Sequence, residues 1–176
     1  MSLFGNKESV RGKKSLVIYF SRADENYAVG NIDKGNTEVI AEYIKEFTGA
    51  DLFKVEPLKP YSPNYKKCCD EALEEKRQDA RPKLKNYLDD ISNYEVIYIG
   101  SPIYFGTMPM SMFTQLEKLD FTGKIIKVFT THEGSGLGNV VSDVRKICKE
   151  ATILDSIAIQ GSLVYESKEK VNKWID

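Results

Sequence analysis

The sequence has a single histidine, His132, and three cysteines, Cys68, Cys69 and Cys148, none of them in a C-x-x-C pair. One histidine and thiols so spaced cannot assemble a metal site. The odd thiol count, and the strained ring that a vicinal Cys68–Cys69 disulfide would form, favour a reducing compartment, so the chain is expected in the cytoplasm. No apolar run is long enough to span a bilayer, and the polar N-terminus is not signal-like, so no membrane is expected. An excess of charge is missing too: 25 Lys and Arg against 26 Asp and Glu leave a net charge of -1. Nothing in that balance points to nucleic acid as a partner. The sequence has no P-loop, no G-x-G-x-x-G after its first strand and no G-x-S-x-G elbow, which excludes three common nucleotide and hydrolase sites. A phospho-acceptor domain would need an acidic cluster and an Asp where this chain has Ser21-Arg22 and Gly100-Ser101. Internal repeats and low-complexity segments are also absent.

What is present is a regular alternation. The chain of 176 residues is the size of one domain. Residues 1–14 are expected as a flexible leader and 15–176 as a single domain. Ser15 to Phe20 is an unbroken apolar run, which suits a strand covered on both faces. From Thr37 to Phe47, Val39, Ile40, Tyr43, Ile44 and Phe47 fall on one helical stripe, stopped by Thr48-Gly49. Further strands are expected at Asp51 to Val55, Tyr94 to Gly100, Lys124 to Thr130 and within Thr152 to Gln160. Charged Asn64 to Asp79 reads as a solvent-facing helix, Lys83 to Ile91 as a short one, and helices are expected after the third and fourth strands and at the chain end. Five strands separated by helices predict an α/β fold with a doubly wound five-stranded parallel sheet. In such sheets ligands lie beyond the carboxyl ends of the strands.

Three loops at those ends carry unusual residues. After the first strand, Ser21 is followed by the polar excursion Ala23 to Lys34 and then by Gly35, Asn36 as a possible N-cap, and Thr37. Hydroxyls and free N–H groups at a helix start make either a phosphate seat or an ordinary capped helix. After the third strand, Ser101-Pro102-Ile103-Tyr104-Phe105-Gly106-Thr107-Met108-Pro109 sets two aromatics in a turn, either to stack on a flat ligand or to plug the sheet end. After the fourth, Thr131-His132-Glu133-Gly134-Ser135-Gly136-Leu137-Gly138 has glycines that let the backbone approach a heterocycle, or that serve only as a mobile connection.

Together, Tyr19-Phe20-Ser21-Arg22, Gly35-Asn36-Thr37, the Gly-Thr-Met-Pro loop and the Thr-His-Glu-Gly-Ser-Gly loop resemble the flavodoxin family, in its short bacterial branch. The resemblance runs from about Lys14 to Tyr165. It implies the strand order 2-1-3-4-5 and a non-covalently bound FMN. The phosphate would sit on Ser21, Arg22, Asn36 and Thr37, and the ribityl chain near Pro102 and Ile103. The ring would lie between Tyr104, Phe105, Gly106 and Thr107 on one side and Thr131, His132, Glu133, Gly134 and Gly136 on the other. The implied role is a low-potential one-electron carrier with redox proteins as partners, monomeric or homodimeric, its aromatic walls disfavouring negative charge on the flavin. Two features depart from simple flavodoxins: the charge is not markedly acidic, and twelve residues, Ala23 to Lys34, interrupt the first loop. Both lean toward an alternative, an FMN-dependent NAD(P)H oxidoreductase acting on quinones or other small acceptors.

Overall fold

The computed structural model describes residues 9–176. Strand β1 (Ser15–Tyr19) lies at the centre, parallel to β4 (Asp51–Lys54) on one side and β5 (Val96–Pro102) on the other. Beyond β5 comes β6 (Ile125–His132), also parallel. All five residues of β1 are buried, and their alternation splits the core in two. Leu16 and Ile18 join one apolar cluster with Ile97, Ile99, Ile126 and Val128. Val17 and Tyr19 join the other with Val96, Tyr98 and Phe129. Burying each such aliphatic side chain stabilises the fold by about 1.5–3 kcal/mol. Gly100 belongs to the same design, since a Cβ there would stand 2.0 Å from the Phe129 ring.

Helix α1 (Asn36–Thr48) covers the second cluster with Val39, Ile40 and Ile44, and ends in the left-handed Gly49. Helices α4 (Val140–Ile147) and α5 (Lys168–Ile175) take opposite faces, through Val140 and Val144 on one and Val171, Trp174 and Ile175 on the other. Helix α3 (Met110–Leu116) buries Met112 and Leu116 in the same cluster that Val140 and Val144 join. This is the expected doubly wound α/β sheet, with helices on both faces.

Several details differ from the sequence reading. The fifth strand is two pieces, β7 (Thr152–Ile153) and β8 (Ile157–Gln160), both paired with β6, so the sheet counts six strands. Buried Lys127 stands opposite the break, its Nζ 3.1 Å from Asp155 Oδ1 and bonded to the Trp174 carbonyl. The excursion after β1 is not irregular: β2 (Asp24–Asn26) and β3 (Gly30–Ile32) form an antiparallel hairpin. Lys83 to Ile91 forms no helix. Leu84 bridges to Pro57, and both backbone groups of Leu88 are taken by the Gln115 side chain, at 2.9 and 2.8 Å, in place of a helical ladder. Of the expected leader, residues 1–8 lie outside the described residues. Its later part packs on the domain: Val10 is buried, and the Arg11 guanidinium bonds the Asn172 carbonyl at 2.7 Å. Among the described residues no helix is long and apolar enough to cross a membrane.

Candidate functional site

The carboxyl ends of β1, β5 and β6 open into one cleft of about 280 Å³. Its lining is segregated. Asn36, Thr37, Thr131, His132, Glu133 and Ser135 make one half; Tyr65, Cys68, Cys69, Ala72, Tyr104 and Phe105 make the other, with Pro102 and Ile103 also in the lining.

The polar half is built by close approach of backbone segments. Helix α1 begins at Gly35, and a Cβ on that residue would stand 2.1 Å from Ser21 Oγ and 2.8 Å from the Arg22 nitrogen. That contact lets Ser21 cap the helix from the end of β1: its Oγ accepts from Glu38 N–H at 3.0 Å. Asn36 is therefore the first helical residue rather than the cap. With the Glu38 and Val39 amides engaged, by Ser21 Oγ and the Gly35 carbonyl, the amides of Asn36 and Thr37 are the pair that a ligand meets. The Thr37 and Thr131 hydroxyls lie 2.8 Å apart, both residues buried, and join the start of α1 to the end of β6. Glu38 brings a carboxylate to the first turn, but Lys54 Nζ neutralises it at 2.9 Å. The helix start thus keeps its positive potential.

The loop after β6 is braced in the same manner. Thr130 Oγ1 donates to the Gly136 carbonyl at 2.8 Å, and His132 Nδ1 accepts from Gly134 N–H at 2.9 Å. Glu133 accepts from Ser162 N–H at 2.7 Å. Gly161 makes room for this, since a Cβ there would fall within 2.5 Å of both the Asn36 amide and the Glu133 carboxylate.

The second half rests on α2 (Tyr65–Arg77), where Tyr65, Cys68, Cys69 and Ala72 form one stripe facing the cleft. Across from it, Tyr104 and Thr107 pair as a tight antiparallel bridge, and the two residues between them, Phe105 and Gly106, have positive φ values of 50° and 87°. The turn is clamped from both sides: Lys76 Nζ bonds the Phe105 carbonyl, and Asn139 N–H donates to the Gly106 carbonyl at 2.7 Å. Tyr104 packs edge-on against Phe20 and Tyr61, with centroids 5.6 and 5.8 Å away, while Phe105 is 42% exposed. Burial raises the Tyr104 phenol and the Cys68 thiol, and pushes Tyr65 up to about 12 with help from a hydrogen bond to Cys69. Those groups stay protonated and uncharged at neutral pH.

Of the residues singled out in the sequence, Arg22, Asn36, Thr37, Pro102, Ile103, Tyr104, Phe105, Thr131, His132 and Glu133 line the cleft. Ser21, Gly106, Thr107, Gly134 and Gly136 are not in the lining; Ser21 caps α1, and Thr107 bonds the Asp143 carboxylate. Arg22 does not present its guanidinium to the seat. Its Nη2 donates to the carbonyls of Ser62 and Pro63 at 2.7 and 2.9 Å. The seat is accordingly built from hydroxyls and amides. Asn26 and Tyr27, from the excursion that the resemblance puts near the flavin mouth, and Ser135, from the loop after β6, also line it, whereas sequence reasoning missed Tyr65, Cys68, Cys69 and Ala72. The spacing of Tyr65, Cys68, Cys69 and Ala72 in a helix otherwise rich in charge was the available signal for them.

Comparison with known proteins gives a consistent family. The family described as Flavodoxin matches residues 14–176. A solved protein from Bacteroides uniformis is 25% identical, with 94% of this chain and 99% of that one covered and a TM-score of 0.74. A flavoprotein from Lactobacillus acidophilus, solved in complex with FMN, has the same fold at 23% identity and a TM-score of 0.61, covering 88% of this chain and 97% of that one. An uncharacterized protein of Methanocaldococcus jannaschii is 28% identical over 118 residues, 67% of this chain. The chain spans about half of that curated relative, 53% of its length.

Proposed function

Since the chain belongs to the flavodoxin family, we propose that it binds FMN in this cleft and serves as a low-potential one-electron carrier between redox proteins. The segregation of the lining carries the reading. An anionic group fits the start of α1, where two amides, two hydroxyls and the helix potential converge, and a flat ring fits the neutral half. The seat is tightly packed around two glycines: a Cβ on Gly35 would collide with the Ser21 hydroxyl and the Arg22 backbone, and one on Gly161 with the Asn36 and Glu133 side chains. Asn36, Thr37 and Thr131 would hold the phosphate, Pro102 and Ile103 the ribityl chain, and the loops of Tyr104 to Gly106 and His132 to Gly136 the ring.

FMN supplies one- and two-electron redox chemistry when bound. The protein's part is to bind, orient and set the field. The clamps on Phe105 and Gly106 fix one wall against the ring, and the bond from Gly134 N–H orients His132 on the other side. The Lys76 ammonium donates to the Phe105 carbonyl and the Arg22 guanidinium to loop carbonyls, so the N–H groups of both are engaged by backbone. The walls themselves, with protonated Tyr104 and Cys68, are neutral. Such apolar walls solvate added negative charge poorly, which lowers the potential of the last electron.

The test is anaerobic reduction of FMN-loaded protein in small steps, followed by addition of NADH or NADPH with a quinone. A carrier takes electrons in two resolved one-electron steps, the second at low potential, and leaves the nicotinamide unoxidised. Rapid two-electron bleaching by the nicotinamide, with turnover on quinone, would replace this reading with an FMN-dependent NAD(P)H oxidoreductase.

A further inference from the structure

His132 is the only histidine of the chain and the last residue of β6, half-buried where the strand gives way to the ring-holding loop. One of its nitrogens is committed: Nδ1 accepts from Gly134 N–H at 2.9 Å. A ring nitrogen that accepts a hydrogen bond presents a lone pair and carries no hydrogen. The imidazole is therefore neutral, with its hydrogen on Nε2.

Packing does not keep the loop in this shape. A Cβ added at Gly134 or Gly136 would meet nothing within 4 Å, and Gly134 and Ser135 are exposed. Hydrogen bonds hold it instead. Thr130 Oγ1 donates to the Gly136 carbonyl at 2.8 Å, Gly138 N–H to the Ser135 carbonyl at 3.1 Å, and Ser162 N–H to the Glu133 carboxylate at 2.7 Å. Of these bonds and the one on His132, only the last depends on a group that ordinarily titrates near neutral pH. A proton on Nδ1 turns the acceptor into a donor, which then faces the Gly134 donor and breaks the bond.

The charges around the ring do not substitute for it. Among the lining residues that can carry charge, Glu133 is on the same loop, Arg22 and Tyr27 come from the loop after β1, Tyr65, Cys68 and Cys69 from α2, and Tyr104 from the turn after β5. Glu133 favours an imidazolium and Arg22 opposes it. Both are engaged, Glu133 by Ser162 N–H and Gln160 Nε2 and Arg22 by the Ser62 and Pro63 carbonyls. Strand β8 pairs Gln160 with His132, and α1 begins with Asn36 and Thr37, all uncharged, while Glu38 on its first turn is paired with Lys54. Resting on the FMN reading of the cleft, we propose that His132 is a positioning residue: its neutral ring, through Nδ1 and Gly134 N–H, holds the loop of His132 to Gly136 in the shape that takes the flavin ring, and a proton on Nδ1 releases the loop and weakens the flavin.

The experiment measures FMN affinity by fluorescence quenching between about pH 5.5 and 7.5, inside the range where histidine ordinarily titrates, on protein without a histidine tag. His132→Asn puts an oxygen where it can accept from an N–H two residues on, and it does not titrate. The phosphate of FMN ionises in the same range, but its effect is common to both proteins and cancels in the ratio of wild type to His132→Asn. That ratio is expected to fall by about fivefold toward the acid end, within the ceiling of about tenfold per pH unit that one proton allows. At pH 7.5 His132→Ala is expected to bind FMN about fivefold more weakly than wild type, the loss of one hydrogen bond of about 1 kcal/mol, and His132→Asn to regain most of that loss. A ratio that stays level with pH overturns the proposal. So does a His132→Asn variant as weak as His132→Ala, which would make His132 a direct flavin contact, and so do urea midpoints that fall with the affinity, which would make the effect one of global stability. Failure of the wild type to bind FMN at pH 7.5 overturns the proposed function instead, whereas FMN binding with a level ratio overturns the role of His132 alone.

Discussion

The two halves of the cleft are made in different ways. The half at the start of α1 is made of amides and short polar side chains held by tight packing: Gly35 against the Ser21 hydroxyl and the Arg22 backbone, Gly161 against the Asn36 and Glu133 side chains, and a pair of threonine hydroxyls 2.8 Å apart. The other half is made of side chains presented by a helix stripe and a clamped turn, Tyr65 to Ala72 facing Tyr104 and Phe105. A seat packed around glycines tolerates few added atoms, while a side-chain wall loses affinity in proportion to the ring removed. The first half is suited to read one charged group at a fixed place, and the second to accept a flat surface.

The sharpest way to break this contrast is Gly35→Ala. Its methyl would stand 2.7 Å from the Arg22 carbonyl oxygen as well as against Ser21, so backbone must move. We expect FMN affinity to fall by about a hundredfold or more, equivalent to about 2.7 kcal/mol, together with about 1–3 kcal/mol of stability. Flavin fluorescence titration and urea unfolding read the two effects. Next comes Thr37→Val with Thr131→Val, which keeps shape and deletes the hydroxyl pair. FMN should weaken by about tenfold or more, and riboflavin, which has no phosphate, should hardly change. Equal losses for both would move the phosphate away from α1.

Phe105→Ala tests the other half and should weaken FMN and riboflavin alike, by about fivefold for one stacking partner of about 1 kcal/mol. The smallest effect lies under the aromatic wall, where the Tyr61 hydroxyl bonds Glu75 and the Tyr61 ring packs on Tyr104. Burial raises the Glu75 carboxyl, and the Tyr61 hydrogen bond offsets this only in part. A carboxyl raised in the folded state binds its proton more readily there than in the unfolded chain. Its contribution is full below the unfolded value of about 4.3 and is lost as pH rises through the folded value. Glu75→Gln should therefore lose less stability than wild type between acid and neutral pH, measured as urea midpoints across that range.

The same contrast explains what could be read in advance. The strands were legible because a strand buried on both faces is a continuous apolar run, as in Leu16 to Phe20. The seat was legible because tight backbone contacts demand glycine, and Gly35 beside Asn36 and Thr37 is a local pattern. Features fixed by distant partners were not. Ser21 caps a helix seventeen residues ahead by one bond to Glu38, and the capping role went to Asn36 in the local reading. Arg22 was expected on the phosphate, but the Ser62 and Pro63 carbonyls claim it. The stretch from Lys83 to Ile91 is another such case: the apolar spacing of Leu84, Leu88 and Ile91 reads as helical, yet Gln115 supplies the backbone partners that a helix would have supplied. On α2, the abundance of charge concealed a cleft-facing stripe of Tyr65, Cys68, Cys69 and Ala72.

The most direct measurement compares FMN with riboflavin on the flavin-free wild-type protein, by fluorescence quenching at one salt concentration. FMN is expected to bind at least about tenfold more tightly, a difference of about 1.4 kcal/mol supplied by the amides and hydroxyls at the start of α1. Equal affinity for the two, or no binding of either, would contradict a phosphate seat at that helix.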